Sequence, residues 1–417
     1  MRRSLICMLV FAAVALFTIP AAADSLESDQ DSQSDQSRQV NPAGQPVQGE
    51  GTAPENPGVQ GDGSNQAGNP SVEVSEETVV TVAAVGDIML VGGVRNLIAQ
   101  YGPFYPFEKV APILSRADLA FGNLESPLAR GGQPTPHKRK EAVAAGKDYV
   151  FKGSPEDIPG LVAAGFDVLA LANNHMLDFG PEALLETTAA LENAQIKSVG
   201  AGANLAEARR PAIAVAKGLR VAFLAFSYIL PPNYWATDTQ PGVAPARNIK
   251  SLAPDKAGIA ALQEDLAAAR AQAEVVIVSF HWGEEKQNKA NAFQQLLARA
   301  AIDAGADAVI GHHPHVLQGI EIYKGRPIFY SLGNFVYTPG NEPAKEAVIA
   351  TLKFKGREVT EVELWPIYIS MGQPQPATGS RAGAIIGNLS AYSASYGTRV
   401  VIKEDRAYLF PGADAPL

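Results

Sequence analysis

An α/β domain with substantial parallel character is what this 417-residue sequence predicts. Three observations carry the prediction. From Thr78 onward, short apolar runs rich in β-branched residues alternate with helical stretches. The runs are continuous rather than alternating, as in strands buried on both faces. Each ends in a cluster of Gly and polar residues. In open α/β sheets the loops beyond the carboxyl ends of strands form the ligand crevice.

In chain order, Val79 to Val85 leads into Gly86-Asp87, and Asp118 to Phe121 leads into Gly122-Asn123-Leu124-Glu125. Phe166 to Ala172 leads into Asn173-Asn174-His175. Arg220 to Ser227 is a further strand-like run. Glu274 to Phe280 leads into His281-Trp282-Gly283, and a helical stretch follows from Asn291 to Ala304. Ala306 to Ile310 leads into Gly311-His312-His313-Pro314-His315, and Pro327 to Leu332 is another strand-like run. Beyond Ala347 the pattern changes. Ala347 to Phe354 and Glu358 to Leu364 read as a β-hairpin around Lys355-Gly356-Arg357. A polar loop from Gln373 to Gly379, a helix from Ala382 to Ala394 and a last strand near Thr398 to Ile402 follow. These read as additions to one domain spanning 78–417.

The N-terminus is of another kind. Arg2 and Arg3 precede a fifteen-residue apolar run from Leu5 to Ile19, and Ala21-Ala22-Ala23 offers a small-residue cleavage site. The run is short for a membrane span. Residues 1–23 therefore read as a signal peptide, and the expected destination is the periplasm or cell envelope. The lone cysteine, Cys7, lies inside that run, so cleavage leaves no thiolate chemistry. Residues 24–77 contain no aromatic residue, eleven acids and one Arg. They read as a disordered acidic low-complexity linker, unable to bury enough apolar surface to order itself. The whole chain carries a net charge of −9. The linker accounts for that acidity, the folded part is near neutral, and no nucleic-acid partner is expected.

The candidate chemistry sits at the strand ends. Asp87 and Glu125, each alone, read as turn or cap residues as readily as ligands. Asn173-Asn174-His175 fits a hydrogen-bond network as well as a site, and His281 alone fits a structural role. The histidine cluster is the strongest single signal, with three of the chain's six histidines in four residues. Extended geometry, favoured before Pro314, puts His313 and His315 on one side and His312 on the other. His313 and His315 are thus the expected ligand pair. Taken together, Asp, Glu, Asn and His at separate strand ends form a mixed O/N donor set that suits one or two divalent Mn, Zn or Fe ions. A shared carboxylate could bridge two ions. His175 is the expected general acid. Asn123, Glu284, Glu285, Gln318 and Asn334 are candidates to face substrate, with loop hydrogen bonding the alternative for each. His137, with Lys138, Arg139 and Lys140, reads as a solvated surface loop, or at most a lid whose charge attracts anions.

The order of these motifs, together with Ser331-Leu332-Gly333-Asn334-Phe335, resembles the CapA family of poly-γ-glutamate capsule synthesis proteins over about residues 78 to 405. The resemblance implies a calcineurin-like metallophosphatase α/β sandwich with a C-terminal β-hairpin and helix extension. It implies Asp87 and His315 at a first metal, Glu125 bridging, and Asn174, His281 and His313 at a second, with His175 as acid. The wider metallophosphatase pattern has a His two positions after the first Asp, where Met89 stands here. The implied function is an exported metal-dependent hydrolase acting on a phosphoester or a capsule polymer, with envelope capsule-synthesis subunits as partners. The alternative is a non-catalytic polymer-handling or scaffold subunit with a structural metal.

Overall fold

The computed structural model describes residues 78–138, 140–145, 148–246 and 256–412. Residues 1–77 and Arg139 lie outside the described residues, and with them the signal and linker expectations. Among the described residues no helix is long and apolar enough to cross a membrane.

The first layer begins with β1 (Val79–Ile88), β2 (Leu119–Leu124), β3 (Val168–Ala170) and β4 (Lys197–Val199), each parallel to the next. A short ribbon pairs β5 (Ala201–Gly202) with β8 (Gly242–Val243). The second sheet takes β6 (Ala212–Ala216), β7 (Leu219–Ser227), β9 (Val275–His281), β10 (Ala308–His312), β11 (Ile320–Tyr323) and β12 (Arg326–Phe329). Its order is β11-β12-β10-β9-β7-β6, with a parallel centre and antiparallel edges. The chain then returns to the first sheet through β13 (Asn334–Val336), β14 (Glu346–Lys355), β15 (Glu358–Ser370), β16 (Gln373–Pro376), β17 (Val401–Lys403) and β18 (Arg406–Leu409).

The period-two geometry of strands sorts the apolar residues into layers. In β1, Val80, Val82 and Ala84 face the core between the sheets, while Ala83 and Val85 face a helix-covered core. Phe121 and Phe223 stack across the sheet–sheet interface with centroids 5.2 Å apart. Such a pair adds about 1 kcal/mol beyond its area burial. Helices Gly93–Tyr101, Ile158–Ala164 and Gly180–Asn193 cover the first sheet, and Ala292–Asp303 and Lys256–Arg270 the second. The result is an α/β sandwich of four layers, as the sequence predicted. The strands β9 and β10 are buried along their whole length, which is why they read as continuous apolar runs.

The C-terminal part differs from expectation. The hairpin is present as expected, and β14 pairs antiparallel with β1, so it continues the central sheet. Gln373–Pro376, expected as loop, pairs with β15 as β16. Two prolines hid it, and an edge strand tolerates them because one side of its ladder is unpaired. The final strand was expected too early, and β18 was missed altogether. The helix Gly379–Ala394 covers one end of the inter-sheet core through Ala382, Ile385, Ile386 and Leu389.

Two features fix the strand ends. At the start of β10, Asp307 is fully buried and accepts from Val276 N at 2.9 Å. It pairs with Arg270, and with Arg326 and Arg357 at 3.4 Å each, tying the β14–β15 turn to the second sheet. At the other end, a Cβ on Gly86 would lie 2.0 Å from Gly333 O, so β1 and the turn before β13 touch backbone to backbone. Gly86→Ala should therefore destabilise the protein by about 3 kcal/mol, as overpacking of a rigid contact does. Urea unfolding of the two proteins checks this, and a loss well under 1 kcal/mol would show the contact to be slack.

Candidate metal centre

Strand register builds the centre. Asp87 in β1 is flanked by Asn123 in β2 and Asn334 in β13. In the second sheet His281 in β9 stands beside His312 in β10. Glu125 directly follows β2, and Asn174 and His175 follow the run after β3. The sequence clusters thus meet at one edge of the sandwich.

Two groups of side chains converge there. The ligand atoms of Glu125, His281 and His313 lie within 4.8 Å of one another, as do those of Asp87, Glu125 and His315. Glu125 belongs to both. Asn174 joins the first group, with Oδ1 2.7 Å from His281 Nε2. All the expected ligands are therefore brought together, three from each sheet.

The charges and unpaired atoms fit a cation. Glu125 is fully buried, and neither of its carboxylate oxygens has a hydrogen-bond partner. His313 Nδ1 is likewise buried and unpaired. Leaving such atoms unsatisfied costs about 1–3 kcal/mol each, more if charged. Burial and the nearby Asp87 carboxylate push the Glu125 carboxyl well above the usual range. Burial opposes ionisation of Asp87, but His312 and His315 hold it well below that range. Oxygen and imidazole donors with no thiolate match Mn, Zn or Fe better than a thiolate-rich structural zinc site.

The histidine turn departs from the extended geometry expected. His313 has φ of 93° and His315 of 57°. The strand ends at His312, and the alternation rule ends with it. His313 N then reaches Asp87 Oδ2 at 3.2 Å, and Pro314 O accepts from Lys286 N at 2.8 Å. Left-handed backbone costs about 1–3 kcal/mol at a non-glycine residue, and such strain gathers at sites. His312 was expected to point away. It is buried, and its Nδ1 lies 3.2 Å from Asp87 Oδ1. It therefore lies against Asp87, with neither ring nitrogen hydrogen-bonded, and joins neither ligand group.

The supporting residues hold the donors in place. Asn123 donates to Asp87 Oδ1 at 2.8 Å and accepts from Asn173 at 3.2 Å. It lies beneath the ligands rather than at their open side. Asn334 Oδ1 is 3.0 Å from His315 Nδ1, and its amide donates to His315 O and Ala344 O. Gln318 is engaged with Gln294 and Gln287 O, which is loop hydrogen bonding. Glu284 is exposed, while its neighbours Glu285 and Lys286 line a cavity of about 180 Å³ with Met89, His175 and His315. A larger cavity of about 590 Å³ lies behind Tyr234 and contains none of the candidate ligands, so the smaller one is the chemically relevant space.

Sequence reasoning missed two residues around His175. Asp178 Oδ2 lies 2.7 Å from His175 Nδ1. Its only sequence signal was the His-x-x-Asp spacing after Asn174. Lys138, expected as solvated, is 5% exposed and reaches the same pair. His137 is exposed, as expected.

His315 gives the centre a pH signature. Burial alone lowers an imidazole, but the Glu125 and Asp87 carboxylates outweigh it and push His315 up to about 10. In the cation-free protein its proton therefore stabilises the fold at pH below about 6.5. That contribution is lost as pH rises through about 10. A cation ligated by His315 must displace the proton. Cation binding at pH 7.5 should release about one proton from His315, and affinity should rise with pH. Calorimetry of Mn²⁺ binding in buffers of different ionisation enthalpy measures this, and a pH-independent affinity would remove His315 from the ligand set.

Comparisons with known proteins fit this geometry. A family model described as "Bacterial capsule synthesis protein PGA_cap" matches residues 81–339, which include every candidate ligand. The "Capsule biosynthesis protein CapA" of Bacillus anthracis is 34% identical over 313 residues, covering 74% of this chain and 72% of that protein. The "PGA biosynthesis protein CapA" of Bacillus subtilis (strain 168) is 32% identical over 314 residues, covering 75% of this chain and 78% of that protein. A "Probable polyglutamine synthesis accessory protein" of Mycobacterium tuberculosis is 30% identical over 386 residues, covering 81% of this chain and 96% of that protein.

Proposed function

This chain belongs to the CapA (PGA_cap) family of bacterial capsule synthesis proteins, and from that premise we propose that it is an exported metal-dependent hydrolase of the cell envelope. Its substrate is the capsule polymer, a poly-γ-glutamate, or a phosphoester, and capsule-synthesis subunits of the envelope are its partners. One observation carries the reading. Glu125 is a buried carboxylate without hydrogen-bond partners, shared by two histidine-containing groups. Its burial is costly unless a cation offsets it.

Asp87, Glu125 and His315 would hold one ion, and Glu125, Asn174, His281 and His313 the other. A divalent cation of the Mn, Zn or Fe kind supplies Lewis acidity to a substrate oxygen and to the attacking water. The chain's own residues do the rest. Asn123 and Asn334 orient Asp87 and His315. Burial and the Lys138 ammonium lower His175 below the usual imidazole range, against the pull of Asp178. His175 therefore rests neutral, with its Nδ1 proton toward Asp178 and a lone pair at Nε2, where it would take a proton from the attacking water and pass it to the leaving oxygen rather than start as the general acid. The Phe151 ring, stacked on His175 at 4.2 Å, shields that step from bulk water. Elemental analysis of the purified protein, with turnover of p-nitrophenyl phosphate and γ-linked triglutamate, tests the reading. A folded, inactive protein that binds no Mn, Zn or Fe would refute it.

A non-catalytic reading, a polymer-handling subunit with a structural metal, is favoured by one observation. Met89 stands where the metallophosphatase pattern has a ligand, and it is among the residues that line the cavity. Full metal loading without turnover on either substrate would support this second reading.

A further inference from the structure

We propose that Lys138 is the residue that positions His175, acting through the Asp178 carboxylate. The proposal rests on the reading of His175 as the group that moves the proton. Lysines are almost never fully buried unless paired, and the Lys138 side chain is only 3% exposed. Its Nζ lies 2.7 Å from Asp178 Oδ1 and 3.1 Å from His175 Nδ1, and donates to Tyr149 O at 2.8 Å.

Asp178 is fully buried, and both its oxygens are engaged. Oδ1 also accepts from the Tyr234 hydroxyl at 2.9 Å. Oδ2 accepts from Phe151 N at 2.7 Å and faces His175 Nδ1 at 2.7 Å. The ammonium and the phenol thus fix the carboxylate's rotation, and Oδ2 stays aimed at the imidazole. Nδ1 cannot donate to Asp178 and accept from Lys138 at once. The carboxylate contact is the shorter, so the Nδ1 proton points to Asp178 and Nε2 remains for the cavity. Lys138 also brings cover to the ring. It holds the Tyr149 carbonyl, while the carboxylate it fixes holds the amide of Phe151, whose side chain stacks on His175. One ammonium therefore sets the ring's angle, its tautomer and its shield.

Lys138→Met and Lys138→Ala in the full, metal-loaded protein test this. We expect kcat to fall about 10- to 100-fold, the usual scale for losing a partner that orients a functional group. KM and metal content should stay within about twofold. Ethylammonium should restore part of kcat to Lys138→Ala but none to His175→Ala, which a merely structural lysine would not show. With ¹⁵N-labelled histidine, the exchange-protected His175 Nδ1 proton of the wild type should be lost in Lys138→Met, or in Lys138→Ala if the former does not fold. Wild-type kcat with an unchanged Nδ1 resonance would overturn the proposal. So would a loss of kcat that follows metal loss and is not rescued by the amine. If the wild type turns over no substrate, the hydrolase reading fails, and the resonance alone decides whether Lys138 positions the ring.

Discussion

Glu125→Ala is expected to strip the protein of tightly bound divalent metal and to lower turnover on the order of 10³-fold or more, as losing a shared ligand removes both ions at once. Other ligands belong to one group each, whereas Glu125 belongs to both. In the metal-free protein the same substitution removes the carboxylate that, with Asp87, holds the proton on His315, so His315 should titrate lower. Elemental analysis and NMR titration of His315 in a chelator check the two halves. Retention of a full equivalent of metal would show that Glu125 does not join the groups.

His175→Ala is expected to lower kcat by about 10²- to 10⁴-fold, the range for a positioned proton-transfer group. Metal content should not change, because His175 belongs to neither ligand group. Its contacts are with Asp178, Lys138 and Phe151. Measuring kcat beside metal content separates proton transfer from metal loss. An unchanged kcat would remove His175 from the chemistry, and lost metal would make it a ligand.

The sandwich and the cluster of candidate ligands were legible in the sequence for one physical reason. Strands buried on both faces must be apolar throughout, so the polar residues that close them stand out. Asp87, Glu125, Asn174, His281, His313 and His315 were all visible that way. What lay hidden depended on neighbours distant in sequence. Lys138 looks solvated beside Arg139 and Lys140, and only the fold reveals Asp178 opposite it. His312 was set aside by a rule for extended chain, which fails one residue past the end of β10. The edge strand Gln373–Pro376 was masked by its prolines, and the hairpin's place beside β1 is a long-range pairing that no local pattern encodes.

Strand β10 carries a different burden at each end. Asp307, before its first residue, gathers Arg270 from a helix, Arg326 from the second sheet and Arg357 from the β14–β15 turn, and His312, its last, backs the histidine turn. The five residue steps from one to the other span roughly 16 Å at the usual rise per strand residue, far enough for changes at the two ends to add independently. The molecule is therefore polar in the manner of a tool, with a grip at one rim and a working edge at the other. Substitutions at the histidine end should therefore leave the arginine-held end intact.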